Sequence, residues 1–306
     1  VSGSLVVQMG VVRLESLDGA VLGGRAGLTA RTDLETGLVE LSGAASALDA
    51  GLVSSALGGP EAAGRIDLTD AGVSVSDGEA EGEALLRWSG LRLGPVSPGD
   101  GAGGVVLLKD LLAVTLESPA TGWRASAEIG LAGDAPDVTL RTLFDSLRVG
   151  SLVRLPPRLG ATRIDGQATL IGPVDALSLD GAIAVSGPLG SADIGLEGGV
   201  DLEGADRSLH AELRGEPVVV RGLETALDGA LEVGPDGGLF GSVTLDRVGR
   251  IEGRIGPGPS RTISAGLVVS EARVADIFRA ASGDDPPRDL DGYLFVSASA
   301  SGTLER

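Results

Sequence analysis

The side chains of this chain that could do chemistry are few, and their spacing suits no reaction. His210 is the only histidine. One imidazole cannot make a two-histidine metal site, and a serine nucleophile would have to rely on it alone. Between Leu209 and Ala211, it reads as a solvated strand or turn residue. Asp284 and Asp285 are adjacent carboxylates, but neighbours in extended chain point apart, and Pro286 and Pro287 mark a loop. Gly187-Pro188-Leu189-Gly190 and the glycines at 101, 103 and 104 lack the following Lys and Ser/Thr of a phosphate loop, so they read as turns. No G-x-S-x-G elbow occurs, and no calcium-binding nonapeptide run. With no cysteine there is neither a thiolate ligand nor a disulfide. The expectation is a protein that is not an enzyme, with no catalytic residue, no metal and no cofactor.

Composition narrows the partners. The 306 residues carry a formal net charge of −19, and no basic run is present to meet a nucleic-acid backbone or an anionic membrane surface. No uninterrupted apolar run reaches the roughly 18 residues of a spanning helix. Hydrophobic residues make up 42 %, ample for a core, yet aromatics are only 2 % and glycines number 50. Asn is absent and Lys109 is the only lysine, a usage typical of a GC-rich bacterial genome.

What the chain does have is alternation. In the stretch 164–213, Leu177, Leu179, Ile183 and Val185 share one parity, with Ser178, Asp180, Ala182, Ala184 and Ser186 on the other. After a turn at Gly187-Pro188, Ala192, Ile194, Leu196, Val200 and Leu202 alternate against Asp193, Gly195, Glu197, Gly199 and Asp201. Strand side chains point to opposite faces with period two, so each segment has one aliphatic and one polar face.

The same rhythm recurs along the chain. Leu5, Val7, Met9 and Val11 open it, and 65–78 reads as a strand pair turned near Asp70-Ala71-Gly72. Ala84, Leu86 and Trp88 share a parity that flips at Gly90, which predicts a bulge. The stretch 95–104, rich in Gly and Pro, reads as a loop. Segments 112–117 and 123–131 predict a hairpin turned at Ser118-Pro119, with Trp88 and Trp123 both on apolar parities. A short helix is expected within 46–57, closed by Gly58-Gly59-Pro60. Leu140, Leu143, Phe144 and Leu147 predict a helix near 139–148, and Val274, Ile277 and Phe278 predict another near 272–281. Two β-rich regions are expected, 1–136 and 137–306, forming one continuous elongated unit cut from a longer protein. The fold class is mainly β, with fifteen or more strands and a few short helices.

A weak repeat is visible. A helix-like segment and a Pro-containing linker precede Ile164-Asp165-Gly166 and Gly172-Pro173-Val174, and later Leu290-Asp291-Gly292 and Gly302-Thr303-Leu304. On these residues the chain resembles the AsmA-like family of Gram-negative envelope proteins, of the TamB and YhdP type. Residues 64–68, 82–88 and the Gly-rich stretch before Val105 are similar to GspN, a type II secretion relative in the same broad group. The resemblance implies a long antiparallel sheet, strongly twisted and curled into a β-taco with an aliphatic groove inside. It also implies a periplasmic location, with a tether to the inner membrane by an anchor absent from this segment. The implied role is to shield phospholipid acyl chains during transport or outer-membrane assembly, with outer-membrane or secretion-system proteins as further partners.

The aliphatic face therefore has two readings. It is either the inner side of an ordinary two-sheet sandwich or barrel, or an open surface for acyl chains. Each buried CH2 gains roughly 0.8 kcal/mol, so a few methylenes suffice to hold a chain. The candidate lipid-facing residues are Leu177, Leu179, Ile183, Val185, Ile194, Leu196, Val200 and Leu202. The alternatives are a GspN-like component acting through protein contacts and a bacterial surface or adhesin β-solenoid.

Overall fold

The structure is a computed structural model that describes residues 2–8, 10–56, 61–94, 96–132, 135–152, 160–201, 208–234, 238–246, 248–256 and 261–304. Met9, Leu202, Gly58-Gly59-Pro60 and, within the Pro-containing linker before Ile164, Pro156 and Pro157 lie outside the described residues. The chain is mainly β, with 76 % of the described residues in strands, and it divides into two compact units, Val1–Gly160 and Ala161–Arg306.

In the first unit the strands are β1 (Ser2–Gln8), β2 (Val11–Val21), β3 (Gly24–Asp33), β4 (Val39–Asp49), β5 (Ala62–Ser76), β6 (Glu79–Leu93), β7 (Val96–Leu108), β8 (Leu111–Ser118), β9 (Trp123–Gly130) and β10 (Asp137–Arg148). Each pairs antiparallel with the next. Two short helices, α1 (Ala50–Ala56) and α2 (Val149–Leu152), follow β4 and β10. In the second unit β11 (Arg163–Pro173), β12 (Ala176–Gly187), β13 (Gly190–Asp201), β14 (Ser208–Val220), β15 (Leu223–Val233), β16 (Leu239–Leu245), β17 (Gly249–Ile255), β18 (Arg261–Arg273) and β19 (Tyr293–Leu304) repeat the meander. Helix α3 (Val274–Ser282) follows β18. Pairing is antiparallel throughout the registered strands of each unit. A β-solenoid would stack its rungs in parallel, so these registers speak against the adhesin alternative.

Tight turns explain the regularity. The β3–β4 turn is held by the Asp33 carboxylate, which accepts the amides of Glu35 at 2.9 Å and Thr36 at 3.1 Å. Those two donors hold its carboxyl below its ordinary value. On the polar faces, ion pairs such as Arg31–Glu40 and Lys109–Glu79 sit exposed, where such pairs contribute little to stability.

Three expectations are corrected. Residues 139–148 form most of β10 rather than a helix. Val138, Leu140, Thr142 and Phe144 share its sheltered side, Leu143 is exposed, and the phase resets at Ser146 (φ 52°), which brings in Leu147. A period of two with one bulge thus mimics helical spacing. Residues 96–104 are the start of β7 rather than a loop, and Gly101 has a steric role there. A Cβ at that position would lie 2.1 Å from the Trp88 ring and 2.3 Å from the Glu117 carbonyl. The strand pair expected within 65–78 is one long strand, β5, because Asp70 (φ 51°) makes a bulge rather than a reversal. The bulge at Gly90 (φ 58°), the hairpin after Ser118 and the helices near 50 and 274 agree with the sequence reading.

Candidate functional site

The site is built on two adjacent strands of the second unit. On β12, Leu177, Leu179, Ile183 and Val185 are half-buried, while Ser178, Asp180, Ala182, Ala184 and Ser186 between them are exposed. On β13, Ala192, Ile194, Leu196 and Val200 are half-buried, against exposed Ser191, Asp193, Gly195 and Glu197. The register joins these rows into one face. Leu177 stands opposite Val200, Ile183 opposite Ile194 and Val185 opposite Ala192, while Gly198 and Gly181 stand opposite Leu179 and Leu196. Seven of the eight predicted residues therefore share a face, and Leu202 lies outside the described residues.

The face is wider than the sequence stretch that revealed it. Through the registers, Ile164 and Leu170 of β11 extend it on one side. On the other side it takes in Leu209 and Leu213 of β14, Leu227 and Leu231 of β15, Val243 of β16, Ile251 of β17 and Leu267 of β18. These positions were missed because bulges shift the parity, as between Ala192 and Ile194 and between Gly215 and Val218. The local alternation was there to be read: Leu209, Ala211 and Leu213 against His210 and Glu212. The first unit carries a comparable row: Leu86, Val105, Val114, Ala127 and Leu140.

Burial bears on both readings of this face. Between two packed sheets, inner side chains interdigitate and are lost from solvent. Here none of the seven described candidates is fully buried. Among the described residues the fully buried apolar side chains are Ala50, Trp88 and Leu147 in the first unit and Ala211, Val218, Leu223 and Ala272 in the second, and of these Ala211 and Val218, which stands opposite Ala192, lie on this face.

Among the described residues each unit has a dense cluster. In the first, Trp88 and Trp123 stack with centroids 6.1 Å apart. Their indole N–H groups donate to the carbonyls of Gly99 at 2.9 Å and Pro98 at 3.0 Å. Thr121 Oγ1 donates to the Pro98 carbonyl at 2.9 Å, and Ser118 Oγ donates to that of Asp100 at 2.7 Å. In the second, α3 packs against β15 and β18, and Arg221 donates to the carbonyl of Ala281 near its C-terminus. Thr225 Oγ1 donates to the Asp246 carbonyl at 2.5 Å beside them. These clusters fix strand ends with fully partnered polar groups.

The residues first weighed for chemistry are dispersed. His210 is exposed on β14, opposite Glu232 and Gly199 on the polar side. Asp285 lies beside Arg279 at 3.4 Å, and Gly187–Gly190 is the β12–β13 turn. Among the described residues, no group of three or more His, Cys, Asp or Glu is placed to hold a metal ion, and no helix is long and apolar enough to cross a membrane. No family model, curated protein or solved structure matches the chain.

Proposed function

We propose that the aliphatic face of this chain shelters lipid acyl chains, as part of an envelope protein that supports phospholipid transport or outer-membrane assembly. The observation that carries the reading is the aliphatic row from Ile164 to Leu267, whose side chains are half-buried or exposed apart from Ala211 and Val218. A soluble domain exposing so extended an apolar face loses the burial that stabilises folded proteins, unless something apolar occupies it. Acyl chains suit the lining. It is made of Leu, Ile, Val, Ala and Gly, with no convergent polar anchors of the sort that define a pocket for one small molecule. Uniform lining makes successive positions nearly equivalent in energy, which favours movement along the face over tight retention. A curled, trough-like sheet would serve this role best. The periplasmic setting, the inner-membrane tether and partner proteins of the outer membrane or a secretion system enter through the sequence resemblance.

A second reading, a GspN-like component acting by protein contacts, draws on Leu85, Val106 and Leu108, which stand exposed on the otherwise charged side of β6 and β7.

Native mass spectrometry of the purified chain tests the lipid reading. Co-isolated phospholipid, released on activation, is the expected result. A chain that carries no lipid even after incubation with diacyl phospholipid micelles would count against it.

A further inference from the structure

We propose that the polar side of the first unit binds a phosphate ester that carries an ammonium group, with Arg25 and Arg87 as its phosphate ligands. Strands β2 to β6 enclose a hollow of about 720 Å³ on the side of the sheet away from Leu86. That volume suits a small molecule. Arg25 of β3 and Arg87 of β6 both line the hollow. Their strands stand three spacings apart, about 14 Å, so the two side chains flank it.

Both guanidiniums are uncommitted. Neither has an ion-pair or hydrogen-bond partner among the described residues. Arg25 stands between Ala20 and Ser46 in the register, so no carboxylate opposes it. Asp67 does stand opposite Arg87, yet its carboxylate accepts the amide of Ala47 at 2.7 Å, in the bulge where Ala47 holds φ 54°. That carboxylate is thereby committed to backbone. Small residues keep the floor open. Asp18, Gly27 and Ala44 form one cross-strand row. A Cβ at Gly27 would lie 2.8 Å from the Asp18 carboxylate, which therefore lies over β3 within the hollow. Ser46 and Thr69 supply hydroxyls from β4 and β5.

The chemistry of this set selects the ligand. Each guanidinium offers paired N–H donors in the fork that matches phosphate oxygens. The hydroxyls are donors for further oxygens. The Asp18 carboxylate repels a bare phosphate and attracts an ammonium. The field of a chain with net charge −19 acts in the same direction, since it repels a free dianion and not a zwitterion. A phosphoethanolamine group meets each of these demands, as a soluble ester or as the headgroup of a phospholipid. The site lies on the other side of the sheet from the aliphatic face and stands independently of the acyl-chain reading.

Isothermal titration of the 306-residue protein with O-phosphoethanolamine tests this. The expected Kd is below about 1 mM, with inorganic phosphate bound at least about tenfold more weakly. Arg25→Gln and Arg87→Gln should each weaken phosphoethanolamine at least about tenfold. Asp18→Asn should bring the two affinities within about threefold of each other. Arg13→Gln removes a charge from the same side of β2, outside the hollow, and should change binding less than about twofold. Flotation with phosphatidylethanolamine vesicles separates the two sources. Protein that floats, and is released by the free ester, takes a headgroup; protein that binds the ester but stays behind takes a soluble ligand. No binding up to about 10 mM phosphoethanolamine overturns the proposal, as does equal loss in the Arg13→Gln and Arg87→Gln chains.

Discussion

Trp88→Ala is expected to destabilise the first unit by about 3–5 kcal/mol, the range for emptying a buried aromatic site. Trp88 is 6 % exposed, stacks on Trp123 and fills the space above Gly101. Its removal leaves the Gly99 carbonyl without the indole donor that now reaches it at 2.9 Å. Recovery by collapse is limited because the floor of the site is backbone. Both tryptophans lie in the first unit, so the fluorescence of Trp123 reports that unit, while far-ultraviolet circular dichroism reports both. In urea, the fluorescence midpoint should fall sharply, and the part of the dichroism signal that comes from the second unit should stay where it was. A loss below about 1 kcal/mol would mean that the cluster around Trp88 is not what fixes those strand ends.

The second large effect concerns binding. Ile183→Asp with Ile194→Asp puts two carboxylates on the aliphatic face at directly opposed positions of β12 and β13. Burying either against an acyl chain costs several kcal/mol, so lipid recovered with the protein should fall at least about tenfold. Ala182→Asp with Gly195→Asp places the same charges one rung away on the polar face. A Cβ at Gly195 meets nothing closer than the Arg214 carbonyl at 3.7 Å, so that pair should fold and keep its lipid. Phospholipid extracted from each purified variant and quantified against protein checks the difference. Equal loss in both pairs would trace the effect to added charge rather than to the face.

The sequence was most legible where the period of two ran unbroken. From Leu177 to Val185 and from Ala192 to Val200, alternation alone assigned strands, turn and face, and the register agrees residue for residue. It failed where one residue breaks phase. Ser146 and Asp70 each hold a positive φ without being glycine: Ser rarely does, and Asp tolerates it in turns and bulges alike, so neither type announced a bulge. The first made a strand look like a helix, and the second made one strand look like two. Residues 96–104 failed for another reason: their glycines read as turn signals but make room for a tryptophan supplied by the neighbouring strand, a contact across sequence that local pattern does not carry. The cluster of Ser118 and Thr121 around the Pro98 and Asp100 carbonyls was invisible for the same reason. The width of the aliphatic face likewise depended on registers between strands rather than on the alternation within any one of them.

The central claim is that acyl chains lie on one side of β12 and β13 and not the other, and a photo-crosslinking parity scan tests it most directly. A photoreactive residue is placed singly at Leu179, Asp180, Leu196 and Glu197, and the protein is irradiated with diacyl phospholipid carrying a tag on its acyl chain. The account predicts lipid adducts at Leu179 and Leu196 and none above background at Asp180 and Glu197. Adducts of equal yield at all four positions, or at none, would contradict it.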